Sequence, residues 1–238
     1  MKNKFILSIG ALALLSSNLL ALYGPHKGLA ASSAATDNDE VCVYCHTPHA
    51  ANNAFDGPVP LWNKPTTQVT FYMYGASDPG VAGRTIAGTM TDAQPTDQSL
   101  ACLSCHDGVS AMDSVINAPG SGRYNPAGTP IGGYAPGVVA NMVTAEERAV
   151  GFRSATSGSF GDMRNDHPIS IQYIEGRASL KPKNTPLTNW LGASTINDVL
   201  RNGKVQCSSC HDPHDNTNQL YKRASNAGSA LCLSCHNK

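Results

Sequence analysis

The sequence predicts a mostly irregular fold, coil with a few short helices and strands, organised around something other than its own side chains. Three observations predict it. Glycine and proline are abundant, at 22 and 15 of 238 residues. Apolar residues rarely recur with a helical or strand period over more than a few positions, so little side-chain core is expected. All eight cysteines fall in four boxes of one pattern, Cys-x-x-Cys-His. The boxes are Cys42, Cys45 and His46; Cys102, Cys105 and His106; Cys207, Cys210 and His211; and Cys232, Cys235 and His236.

That pattern is the attachment signature of c-type haem: two thiols form thioethers with the vinyl groups, and the adjacent histidine reaches the iron. Of eight histidines, the boxes use four, leaving His26, His49, His167 and His214 as distal ligands. The reading is four covalently attached haem c groups, each iron held by two histidines. Structural zinc uses paired cysteine boxes too, but does not require histidine directly after every second cysteine. A disulfide framework leaves the histidines unexplained. Methionine is the other distal ligand to weigh, with Met73, Met90, Met112, Met142 and Met163 as candidates; four spare histidines make them packing residues. Porphyrins would supply much of the apolar interior, so removing them should leave the chain largely unfolded.

Along the chain, residues 1–21 read as a secretory signal peptide: Lys2 and Lys4, an apolar stretch from Phe5 to Leu15, then small and polar residues. Cleavage after Ala21 keeps His26, whereas cleavage after Ala30 would discard it. The apolar stretch falls short of the ~20 residues of a membrane span, and no other segment reads as one. Residues 22–125 form a first dihaem module. In CVYCHTPH, His46 and His49 are three apart, and Pro48 pushes Thr47 out of the helix, turning His49 away from its own box. PLW at 60–62 and FYMY at 71–74 are short strands or haem-packing segments. Residues 126–206 are an insertion carrying His167, which precedes a proline and so belongs to extended chain. Asp166 or a backbone carbonyl could hold its second ring nitrogen. GTPIGGYAPG (128–137) lacks a phosphate-loop lysine and reads as loop. Short helices are expected at 144–150, where Thr144 and Glu147 make a capping box, and at 194–201, stopped by Asn202-Gly203. Residues 207–238 form a second dihaem module. CSSCHDPH echoes CVYCHTPH, and ALCLSCH echoes LACLSCH, so the whole reads as a duplicated dihaem module, a haem-cored multihaem cytochrome c. The expected pairing takes His49 to the Cys102/Cys105 haem and His214 to the Cys232/Cys235 haem.

The ordered features CVYCHTPH, PLW, MY, ACLSCHDG, NDHPIS, VQCSSCHDPH and LCLSCH resemble the doubled-CXXCH multihaem cytochromes of metal-reducing bacteria. The resemblance runs from about residue 26 to 238. It is strongest to tetrahaem members that polymerise into extracellular conductive filaments. The resemblance implies bis-histidine haems, little secondary structure and a haem chain running through a head-to-tail homopolymer. It also implies donation of His26 to a haem of the neighbouring subunit, and delivery of electrons to other redox proteins or extracellular metal acceptors. The balance of 17 basic and 17 acidic residues offers no footprint for nucleic acid. An enzyme would need an open iron position, whereas eight histidines close all four. A monomeric periplasmic or secreted carrier shares the same chemistry as the filament.

Overall fold

The computed structural model describes residues 41–54, 61–110, 114–119, 124–131, 160–177, 179–215, 217–218 and 221–237. His26, Met112, Met142 and the helix expected at 144–150 lie outside them.

The described chain is mostly coil with short elements, as composition predicts. Strand β1 (Thr70–Tyr72) is followed by helix α1 (Asp97–His106), β2 (Ser114–Asn117), β3 (Tyr124–Pro130), β4 (Phe160–Asp162) and β5 (Ile171–Gln172). Helix α2 (Ile196–Val199), β6 (Lys204–Val205), α3 (Cys207–Cys210) and α4 (Ala230–Cys235) complete the order, with single 3-10 turns at Val41–Tyr44 and Ala227–Ser229. Among the described residues the strands pair in twos: β1 with β4 in parallel, β2 with β3 and β5 with β6 antiparallel. These two-stranded pairs serve as local clamps.

Among the described residues the apolar interior is divided into three small clusters. Tyr44, Val115 and Ile131 pack with Cys45. Val69, Phe71, Met73, Ala76, Leu103, Met163 and Ile169 pack with Cys207. Tyr173, Leu187, Trp190, Ile196, Val199, Leu200 and Ala224 pack with Leu231 and Cys235. Cysteines of three boxes therefore each rest on a different cluster. Phe71 and Met73 are fully buried, so alternate residues of the FYMY run enter the core, with Phe71 and Tyr72 in β1. Met73 and Met163 are packing residues, and Gly161 is glycine because a Cβ there would overlap the Phe71 ring.

Three local expectations are corrected. The glycine-rich stretch begins as strand, since Gly128–Pro130 close β3. The helix expected over 194–201 is the single turn Ile196–Val199. Asn202-Gly203 is a hairpin turn and not a helix stop: Arg201 and Lys204 exchange backbone hydrogen bonds of 2.9 and 2.8 Å, with both central residues at positive φ, 51° and 75°. An Asn-Gly pair favours that geometry because it matches the twist of the flanking strands. The turn returns the chain against β5 and delivers the third box.

Candidate haem sites

Each box is a helical turn that stops at its histidine. In the first, His46 N–H donates to Cys42 O at 2.8 Å, and in the third, His211 N–H donates to Cys207 O at 3.0 Å. The turn ends there because the chain immediately bridges to a returning segment, His46 to Trp62 and His211 to Lys222. The proline expected to end the turn thus lies beyond its end. The two returns share further detail. Thr47 N–H donates to Leu61 O and Asp212 N–H to Tyr221 O, both at 2.8 Å. Leu61 and Tyr221 hold matching positive φ, 56° and 55°. Asn63 Nδ2 donates to Val43 O at 2.7 Å, and Arg223 Nε reaches the equivalent carbonyl, Ser208 O, at 2.8 Å.

The second and fourth boxes share another device. Trp62 Nε1 donates to Ser104 Oγ at 3.2 Å, and Trp190 Nε1 donates to Ser234 Oγ at 3.0 Å. Each serine, the residue between its two cysteines, in turn donates to a helix carbonyl, Ala101 O or Ala230 O. Both tryptophans of the chain are spent on these contacts. Sequence reasoning missed the device; its signal was one tryptophan 40 or 42 residues before each CLSCH box.

Boxes that follow one another in the chain are neighbours in space. Cys45 is within electrostatic reach of Cys105, the Cys102 and Cys207 thiols are in hydrogen-bond contact, and Cys210 feels Cys235. Buried Gln206 locks the middle joint. Its Oε1 accepts from Ser99 Oγ at 2.6 Å and Ser170 Oγ at 3.1 Å, while its Nε2 donates to Thr96 Oγ1 at 3.2 Å and Asp97 Oδ2 at 3.1 Å. Cys42 and Cys232, in the first and last boxes, are exposed; the other six cysteines are half-buried, and all eight are free of disulfides.

Burial and mutual contact set the protonation of the thiols. Burial pushes Cys45 up to about 12, with Cys105 adding to the effect, and Cys210 up to about 11, with Cys235 adding. The hydrogen bond between Cys102 and Cys207 holds the first thiol protonated and favours charge on the second. Among the described residues no group of three or more His, Cys, Asp or Glu side chains forms a metal cage.

The histidines form pairs instead. The rings of His46 and His214 lie 6.1 Å apart, centre to centre, with planes 16° apart. Those of His167 and His236 lie 6.3 Å apart with planes at 71°. The expected pairing takes His214 to the fourth box, whereas in the structure its ring lies beside that of His46 in the first. His167 Nδ1 lies 3.0 Å from Pro168 O; a carbonyl only accepts, so Nδ1 carries the hydrogen and Nε2 is left as the lone-pair nitrogen. Desolvation lowers the His167 pKa and nearby His236 adds to that, against the Pro168 carbonyl. His49 is exposed, with its carbonyl held by Asn117 Nδ2 at 2.8 Å. His106 is half-buried at the end of α1, and His211 is exposed.

Free cysteine pairs next to histidine, with a second histidine standing off two of those histidines, fit covalently attached haem. The boxes would hold it through thioethers, and the iron would supply a one-electron couple. A search of curated proteins finds no match. The doubled CXXCH motif family matches residues 198–238, which hold the third and fourth boxes. That match supports the multihaem c-type cytochrome class, and with it c-type haem as cofactor and electron transfer as the activity.

Proposed function

We propose that this chain is a tetrahaem c-type cytochrome and the subunit of an extracellular conductive filament. In this reading Cys42, Cys45, Cys102, Cys105, Cys207, Cys210, Cys232 and Cys235 anchor four haems. His46, His106, His211 and His236 are proximal ligands, and His26, His49, His167 and His214 are distal. The observation that carries the reading is that consecutive boxes are neighbours in space, with Cys42 and Cys232 of the first and last exposed. Anchors that follow one another within electrostatic reach keep every hop short, and exposed ends admit and release electrons without a catalytic pocket.

The filament extends the same logic. The chain resembles the tetrahaem outer-membrane cytochrome E, and an exported chain with an N-terminal ligand can lend His26 to the next subunit. Such a head-to-tail contact propagates instead of closing. Export is supported by the N-terminal signal and by haem attachment outside the cytoplasm; no helix among the described residues is long and apolar enough to cross a membrane.

Mass spectrometry of the mature holoprotein tests the haem number. Four thioether-bound haems of roughly 0.6 kDa add about 2.5 kDa, and a smaller increment overturns the tetrahaem reading. Negative-stain microscopy of native material tests assembly: filaments are expected, and dispersed particles would overturn the filament in favour of a monomeric carrier. His26→Ala should keep four haems, abolish filaments and turn one iron high-spin.

A further inference from the structure

The histidine pairs carry an inference about how the two halves of the chain depend on each other. A metal–imidazole bond is about 2.0–2.1 Å, as at zinc. Two nitrogens on opposite sides of one metal are then about 4 Å apart, with ring centres roughly 6.3 Å apart. The observed separations are 6.1 Å for His46 and His214 and 6.3 Å for His167 and His236.

Orientation supplies an independent observation. An imidazole that ligates through Nε2 has its Nδ1 held by an acceptor, which sets the tautomer and aims the ring. His167 Nδ1 is held by Pro168 O at 3.0 Å. His214 Nδ1 faces Asp212 Oδ1 at 3.4 Å, and Asp212 is itself held by Arg223, with Nη1 to Oδ2 at 3.2 Å. Both spare histidines thus have Nδ1 beside an acceptor, which leaves Nε2 as the nitrogen for a metal. The holders differ in charge. A carboxylate behind His214 makes that imidazole a stronger donor than a carbonyl does behind His167.

We infer that the distal ligands are crossed. His214, from the Pro-His pair of the third box, completes the haem of the first box opposite His46, and His167 completes the haem of the fourth box opposite His236. This rests on the tetrahaem reading above, and it changes what a module is. The first haem is covalently bound by the first half and axially completed by the second, so neither half finishes its own ligation. His214 thereby ties the two ends of the first-to-third box span together, while His167 ties the middle of the chain to its C-terminal box. Of the spare histidines, His26 and His49 are left for His106 and His211.

The plane angles give each pair a signature. Near-parallel imidazole planes split the lower iron orbitals and give a rhombic low-spin electron paramagnetic resonance signal. Near-perpendicular planes leave those orbitals nearly degenerate and move the signal far to low field. The oxidised wild-type holoprotein is expected to show both, the rhombic one from the 16° pair and the low-field one from the 71° pair. His214→Ala should remove a rhombic component, convert one of four irons to high-spin, and regain low-spin character with added imidazole. His167→Ala should remove the low-field component alone. Asp212→Asn keeps the ligand and weakens the charge behind it, so it should raise one midpoint potential without making any iron high-spin. The assignment is overturned if wild type lacks a low-field signal, or if either alanine variant retains four low-spin irons with an unchanged spectrum. It is also overturned if the two variants lose each other's signals. Fewer than four haems in wild type by mass would instead overturn the tetrahaem reading, and four haems with unaltered spectra would leave that reading standing.

Discussion

The first and third boxes are built on one local plan and stabilised by different chemistry. Both end their helical turn at the histidine, bridge to a returning segment, and receive a side-chain hydrogen bond on the carbonyl between their cysteines. The first half does this with a neutral residue. Asn63 is fully buried and, besides Val43 O, donates to Asn117 O at 3.1 Å and accepts from Asn117 N–H at 2.9 Å. The second half uses a cation. Arg223 donates to Ser208 O and Leu191 O at 2.8 and 2.9 Å and pairs with Asp212. Thr47 occupies the place of Asp212 in the first half, and its hydroxyl donates to His49 O at 3.0 Å. The same backbone geometry is therefore reachable by amide or guanidinium, but only the second version places a carboxylate beside its Pro-His histidine. The carbonyl between the cysteines is thus held by a cation in the third box and by a neutral amide in the first.

The largest expected effect tests that contrast directly. Arg223→Met removes a buried cation with three partners and takes from Asp212 its guanidinium, leaving only His214 beside it, which should cost about 3–4 kcal/mol. Asn63→Ala strands two carbonyls and one N–H in the interior and should cost about 2–3 kcal/mol. Denaturant unfolding of the holoprotein measures both. Arg223→Met should also shift the midpoint potential of the His46–His214 pair by releasing Asp212, a shift that Asn63→Ala, which only loosens the box carrying His46, should not match. Equal spectroscopic effects would mean that charge has no special part in the third box.

Gln206 has no described counterpart before the first box, and it joins the two regions. Replacing it with leucine keeps the volume but abandons Ser99, Ser170, Thr96 and Asp97 in a buried setting. A loss of about 2 kcal/mol is expected, together with a change in the spectral coupling of the second and third haems. Unchanged stability would show that the apolar cluster around Phe71 alone sets the joint between those boxes.

The indole contacts sharpen the comparison for the second and fourth boxes. Ser104 is buried and Ser234 is only half-buried. Trp62→Phe should therefore cost about 1–1.5 kcal/mol and Trp190→Phe about 0.5–1 kcal/mol, the lost hydrogen bond being worth more where water cannot replace it. Thermal unfolding of each variant settles the order. A larger loss at Trp190 would assign its effect to packing against Ile196 and Leu231 instead.

The boxes, the scarcity of regular structure and the repeat of box with Pro-His pair were legible in the sequence because covalent chemistry leaves fixed spacings. A helical turn of Cys-x-x-Cys-His follows from those spacings directly. The partner of His214 was not legible, because it depends on how segments more than a hundred residues apart are brought together by clusters and two-stranded clamps. Gln206, Asn63 and the two indole–serine contacts were missed for a related reason: a single buried polar residue has no period or motif until its partners are known. The Asn202-Gly203 reading failed differently. The pair does favour positive φ, but a helix end and a hairpin turn both use it, and only the pairing of Lys204–Val205 with Ile171–Gln172 decides between them.

The smallest expected effect concerns a scaffold the second half has beside its box. Helix α2 buries Ile196 and Val199 against the cluster that also holds Cys235. Its start is a capping box: Asp198 Oδ2 accepts from Thr195 N–H at 2.8 Å, Ser194 N–H at 3.0 Å and Thr195 Oγ1 at 3.0 Å. Those hydrogen bonds favour the ionised carboxylate, the Thr195 backbone bond most, so its pKa is held below the ordinary aspartate value. A folded-state pKa below the unfolded one means the contribution is fully present above the unfolded pKa. It fades as pH falls through the folded one. Asp198→Asn should therefore lower the melting temperature slightly at neutral pH, and the gap to wild type should close in strong acid. The Arg223→Met loss involves a different carboxylate and should be nearly unchanged by the Asp198 substitution. If the two losses are strongly non-additive, the helix and the charged clamp act as one unit, and the second half is stiffened by a network instead of a single ion pair.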